Sequence, residues 1–152
     1  MLKHFLLSLL TFSILSSCGD YSIATPSGRP EVVVSPPIGR AKSIAIQAMT
    51  ESGYTLTDQT SNMLTFERSM EPGEAAIYLM AVGNAYHATP AVTLRLSFVQ
   101  LGGEVKIYGA VRASTQGPFG QARNTDLTRG KSGQQLQQGL ERIKNRIAGD
   151  RR

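Results

Sequence analysis

From Ala91 to Ser114 the chain alternates. Val92, Leu94, Leu96 and Phe98 fall at every second position, with Thr93, Arg95 and Ser97 between them. After Leu101-Gly102-Gly103 the pattern resumes, with Val105, Ile107 and Val111 at one parity and Lys106, Tyr108 and Arg112 at the other. Successive side chains of a strand point to opposite faces, so a sustained period of two marks strands buried on one side only. Two such runs joined by a glycine pair make an antiparallel hairpin with one face in a core and the other open. The rest of the chain must supply a cover for the apolar face.

Two stretches have the helical period that a cover needs. Ile38, Ala41, Ala45, Ala48 and Met49 form one stripe, with Ser35 placed to cap its start and Gly53 where a left-handed residue ends a helix; this predicts a helix over about 37–51. Leu136, Leu140, Ile143 and Ile147 form a second stripe, with Ser132 and Gln135 spaced as a capping box and Arg142, Lys144 and Arg146 toward the end; this predicts a helix over 133–148. The β-branched run Glu31–Val34 reads as a short edge strand, and further strands are expected near 54–58, 63–69, 75–82, 91–100 and 104–114. The fold class is therefore α+β: a two-layer sandwich in which a meander of about five antiparallel strands, plus the short edge strand, is covered on one face by an N-terminal and a C-terminal helix. The outline is similar to helix-grip and TATA-binding-protein-like domains, a resemblance of architecture from which no activity follows.

The first thirty residues have a different character. Met1-Leu2-Lys3-His4 is a short basic start, and the apolar run Phe5–Leu15 that follows is too short for an ordinary transmembrane helix but suits an export signal. Leu15-Ser16-Ser17-Cys18 closes it. An aliphatic residue, two small residues and a cysteine at this distance from the start closely resemble the lipobox of bacterial lipoproteins. The resemblance implies diacylglyceryl transfer to the Cys18 thiol, cleavage before it and acylation of the new amine. Two or more acyl chains give stable anchoring where one is marginal. Gly19 follows the cysteine, not the aspartate typical of inner-membrane retention in enteric bacteria, so the resemblance points to the outer membrane, facing the periplasm. The domain plan is a signal peptide over 1–17, a lipidated flexible tether over 18–30, rich in Gly, Pro, Ser and Thr, and one α+β envelope domain over 31–149.

Composition narrows the chemistry. With 41% hydrophobic and 18% charged residues the chain is an ordinary globular one, and its single cysteine permits no internal disulfide. A net charge of +5 is mild, and export disfavours nucleic acid as a partner. Once the signal is removed His87 is the one histidine left, in a loop between expected strands. That excludes a histidine cluster for zinc, and a Ser/His/Asp set would have to use His87. Gly130-Lys131-Ser132 fails as a phosphate loop, because Thr125 stands where the first glycine is required. No metal site, cofactor site or catalytic set is expected.

Two features are candidates for binding. On the open sheet face the parity puts Tyr78, Met80, Arg95, Lys106, Tyr108 and Arg112 outward, a mixture of aromatic and cationic side chains typical of interfaces. The stretch 115–131 has no strong period and carries Phe119, Arg123 and Asp126, which could dock a partner. The expected role is a membrane-anchored lipoprotein that tethers, braces or binds an envelope protein without catalysis. The alternative is a small envelope enzyme or carrier acting on glycan, peptide or lipid.

Overall fold

The computed structural model describes residues 22–82, 89–116 and 121–150. In chain order the elements are β1 (Glu31–Val34), α1 (Ile38–Glu51), β2 (Thr55–Gln59), β3 (Met63–Ser69), α2 (Pro72–Val82), β4 (Ala91–Leu101), β5 (Glu104–Gln116), β6 (Ala122–Asp126) and α3 (Lys131–Gly149). The strands form one antiparallel sheet in the order β1-β5-β4-β3-β2, with β6 also paired to β5. Helices α1 and α3 pack on one face, and the architecture is an α+β two-layer sandwich.

The alternation of the central hairpin is realised residue by residue. Val92, Leu94, Leu96 and Phe98 on β4, and Val105, Ile107, Val111 and Ala113 on β5, are buried. They meet Leu64 and Phe66 of β3, Ala41, Ala45 and Met49 of α1, and Leu136, Leu140, Ile143 and Ile147 of α3 in a single core. Gly53 adopts φ +82° just past the end of α1, where its amide bonds the Thr50 carbonyl at 3.0 Å. The proposed caps at the helix starts are not used: α1 follows Pro37 and α3 follows Gly130, neither with a side-chain cap hydrogen bond.

The segment expected as a strand over 75–82 is a helix. Proline is favoured at a first helical position, and Pro72 occupies it; Glu74 lies in the first turn, where the helix dipole favours a carboxylate, and Ala, Leu and Met are strong helix formers. The buried residues Ala75 and Tyr78 and the half-buried Leu79 are spaced three and four apart, and the apparent alternation was the i, i+3, i+4 face of a helix. Tyr78 is consequently not on the open sheet face. It is 8% exposed, belongs to the core, and its hydroxyl lies 3.0 Å from Thr125 Oγ1. Met80 is exposed, but on α2.

Two segments read as irregular are built into the fold. Within 115–131, β5 runs to Gln116 and β6 adds Ala122–Asp126 as a mostly exposed edge strand, held by backbone pairing that leaves no hydrophobic alternation to read. Of the expected tether, residues 22–30 lie along the domain: Ile23 and Pro30 are buried and Thr25–Gly28 is a hydrogen-bonded turn.

Candidate functional site

The sheet pairing fixes which side chains share the face opposite α1 and α3. Val33, Lys106 and Val99 form one row; Glu31, Tyr108 and Ser97 the next; then Ala110, Arg95 and Thr65; then Asp126, Arg112 and Thr93. Arg95, Lys106, Tyr108 and Arg112, all expected outward, are brought together on this open face.

The face is not flat, and the reason lies in the order of pairing along β5. One edge of β5 is shared by two short strands placed end to end: the first residue of β1, Glu31, lies opposite Tyr108, and the last residue of β6, Asp126, lies opposite Arg112. Between them Gly109–Val111 has no strand partner on this edge, and its polar backbone is satisfied locally, as a buried backbone must be. Gly109 N–H donates to Pro30 O at 2.8 Å, Leu127 N–H donates to Val111 O at 2.9 Å, and Val111 N–H donates to the Thr128 hydroxyl at 3.1 Å. The outward residue of this gap is Ala110, whose methyl group leaves a trough between the side chains of Tyr108 and Arg112. The result is an open groove of about 680 Å³, lined by Arg29, Arg95, Arg112 and Arg129 with Ser97, Tyr108, Gly109, Ala110, Asp126 and Thr128.

Four guanidinium groups thus border one groove, against the single carboxylate of Asp126. The ion pairs of the described residues, Arg40–Asp150, Arg68–Glu74, Lys106–Glu31 and Arg146–Glu51, use none of these arginines. Asp126 is committed to its own turn: Thr128 N–H donates to Asp126 Oδ1 at 2.8 Å. The hydroxyl and backbone N–H of Thr128, followed by the positive fields of Arg112 and Arg29, hold its carboxyl below the usual range. A guanidinium presents donors in a planar fork that matches carboxylate and phosphate oxygens, so the groove is suited to an anion.

The aromatic wall is held from beneath. Lys106 Nζ lies 4.9 Å from the Tyr108 ring centroid and 2.9 Å from Glu31 Oε1. Burial pushes the Glu31 carboxyl up, but the Ser27 hydroxyl and the Lys106 ammonium outweigh it and hold the group ionised below its ordinary value. Lys106 is raised in turn, first by its hydrogen bond to Glu31 and then by Tyr108. Across the sheet edge the Gln137 side chain accepts from Glu31 N–H at 2.8 Å and donates to Glu31 O at 3.1 Å, tying β1 to α3. Lys106 is therefore a support for Tyr108 beside the groove, whereas Arg95 and Arg112 border it.

The remaining sequence candidates fall elsewhere. Arg123 pairs with Thr115, whose parity is that of the helix-covered face, so it is exposed on the side away from the groove. Cys18, His87 and Phe119 lie outside the described residues. Arg29, Thr128 and Arg129 were missed, being scattered in sequence. The available signal was Gly109-Ala110, two small residues between Tyr108 and Arg112 in an otherwise bulky strand. Among the described residues no three of His, Cys, Asp or Glu gather as metal ligands, and no helix is long and apolar enough to cross a membrane. The chain matches no protein-family model, no curated protein and no solved structure.

Proposed function

We propose that this chain is a membrane-anchored lipoprotein of the bacterial envelope with a non-enzymatic binding role, held by lipid on Cys18 and engaging an anionic partner through the groove at Arg95, Tyr108 and Arg112. The observation that carries the reading is the groove itself: four guanidinium groups and an aromatic wall around about 680 Å³, with one carboxylate that is already engaged. Such an excess of cations, none in an ion pair among the described residues, is poor for folding, because like charges repel and each long side chain loses entropy if it is held still. It is useful when a ligand brings the opposite charge. Aromatic and arginine anchors are also the side chains that most often dominate binding energy at interfaces. The anchor is inferred from the lipobox resemblance at Leu15-Ser16-Ser17-Cys18, and by that resemblance the location is the outer membrane on its periplasmic side.

The test is affinity purification of the full chain from membranes. Replacing Tyr108 and Arg112 together by alanine should abolish recovery of the partner and leave the melting curve nearly unchanged, since neither side chain is in the core. His87→Ala should affect neither. Retention of the partner by the double variant would refute the binding surface, and loss of biological activity in His87→Ala alone would favour an enzyme.

A further inference from the structure

The groove is one part of a graded surface. On the same open face, Val33 and Val99 flank Lys106, and Leu101 continues the outward parity of β4. They are 37%, 41% and 50% exposed, and they make up three of the five large hydrophobic residues that are exposed among the described ones. From Val99 the face passes to Ser97 and Tyr108, and then to Arg95, about 13 Å along the strand at ~3.3 Å per residue. The face thus runs from exposed aliphatic side chains, through Lys106 and Tyr108, to a cluster of arginines. Apolar residues beside an aromatic residue and cations are the composition of surfaces that settle at a bilayer interface, where the apolar groups enter the acyl boundary and the cations meet headgroups.

The position of the N-terminal segment adds an independent constraint. Ile23 is already buried, with its Cδ1 3.1 Å from where a Cβ on Gly133 would stand, at the corner where Thr128 and Arg129 border the groove. Arg29, seven positions before Pro36, borders the groove as well. Five residue steps separate Cys18 from Ile23, which span at most about 18 Å even when fully extended. A lipid on Cys18 therefore keeps this edge of the groove close to the bilayer.

Resting on the reading of a lipid-anchored binding module, we propose that the groove takes the phosphate-bearing headgroup of an anionic membrane lipid, with Val33, Val99 and Leu101 against the acyl boundary, so that the open sheet face lies down on the membrane that holds the anchor. A concave site of this volume suits a compact ligand, whereas an acidic protein partner would meet a broader surface. Arg95 is the cross-strand partner of Ala110 and Arg112 is the next outward residue along β5, so both border the Ala110 trough, where two forks can share the oxygens of one phosphate.

The chain contains no tryptophan, so Leu101→Trp introduces a single tryptophan, excited apart from the tyrosines at their red edge, at an exposed position. With the full chain carrying this reporter in phosphatidylglycerol vesicles, the expected result is a blue shift and quenching by lipids brominated on their acyl chains, with neither seen in phosphatidylcholine. Adding Arg95→Gln and Arg112→Gln should remove the shift without altering the melting curve. If Leu101→Trp itself lowers the melting temperature, Val99→Trp supplies the same reading. An equal shift in both lipids, or one that survives the arginine substitutions, overturns the proposal. Saturable binding of inorganic phosphate that the arginine substitutions remove, with no shift in phosphatidylglycerol vesicles, overturns the lipid as the source and leaves free phosphate as the ligand. If no shift occurs but the Tyr108 and Arg112 variant still loses a copurifying protein, the headgroup assignment fails and the binding-module reading stands; if that loss is absent too, both fail.

Discussion

Replacing Gly133 by alanine tests how the corner of the groove is built. Gly133 is buried in the first turn of α3, and a Cβ there would overlap the Thr128 carbonyl oxygen and stand 2.6 Å from the Thr128 carbonyl carbon. That carbonyl is backbone and cannot rotate aside. Thr128 is also fixed by Val111 N–H donating to its hydroxyl at 3.1 Å and by its own N–H donating to Asp126 at 2.8 Å. Either α3 lifts off the sheet or the turn before it gives way. Overpacking costs about 1–3 kcal/mol. Loss of the buried bond between Val111 and Thr128 adds roughly 1–3 kcal/mol. The better helix propensity of alanine returns about 1 kcal/mol. The expected net loss is about 3 kcal/mol, a fall in melting temperature on the order of 15 °C for a domain of this size. Gly39 in α1 is the control, because its added Cβ would meet nothing within 4 Å. Gly39→Ala should raise stability by about 0.5–1 kcal/mol through propensity alone. Urea and thermal melts followed by circular dichroism measure both. A Gly133→Ala variant as stable as the wild type, or stabilised like Gly39→Ala, would refute the close approach of α3 to Thr128.

Three further outcomes are expected. Leu96→Ala, fully buried between β3 and β5, should cost roughly 2–5 kcal/mol in urea melts, while its neighbour Arg95→Ala on the open face stays within about 0.5 kcal/mol; equal losses would contradict the parity of β4. Glu31 and Asp126 both have folded values below their ordinary ones, so the stability they contribute is complete above about pH 4.3 and is lost as the pH falls through the folded values beneath it. Glu31→Gln should accordingly be less stable than the wild type at neutral pH, with the gap closing below about pH 4; a gap that stays constant in acid would contradict the role of Glu31 as an ionised support for Lys106. Cys18→Ala should lose incorporation of labelled fatty acid and leave an uncleaved or mislocated precursor, and undiminished label on the variant would rule out lipidation at this cysteine.

The parts of the fold that sequence reveals are those where one face is dry and the other wet. Leu96 beside Arg95, and Leu140 with Ile143, lie at positions whose burial is dictated by period alone, and there strand, helix and parity were all legible. Where this contrast is absent, the signal weakens. Ala75 to Met80 is apolar at nearly every position, so periods of two and 3.6 fit equally well by eye, and the deciding information lay in Pro72, Glu74 and the helix formers after them. Strand β6 has the opposite defect: Ala122-Arg123-Asn124-Thr125-Asp126 is mostly exposed and polar, and only its backbone pairing to β5 makes it a strand. The groove was half legible for the same reason. Arg95, Tyr108 and Arg112 share a hairpin, and parity alone puts them on one face. Arg29 and Arg129 reach them only because β1 and β6 stop short of one another beside Ala110, a consequence of sheet topology that no local pattern encodes.

The central claim, that the arginine groove is the binding surface, is tested most directly by purifying the full chain from membranes over a range of salt concentrations, for the wild type and for a variant carrying Arg95→Gln and Arg112→Gln. An anionic ligand held by exposed guanidinium groups is screened as ionic strength rises, with a Debye length of about 10 Å at 0.1 M and about 3 Å at 1 M. The account predicts that the wild type recovers its ligand at low salt and loses it steadily as salt is raised. It also predicts that the variant, melting at the wild-type temperature, recovers none at any salt. Recovery by the variant equal to that of the wild type, or recovery from the wild type that does not change with salt, would contradict it.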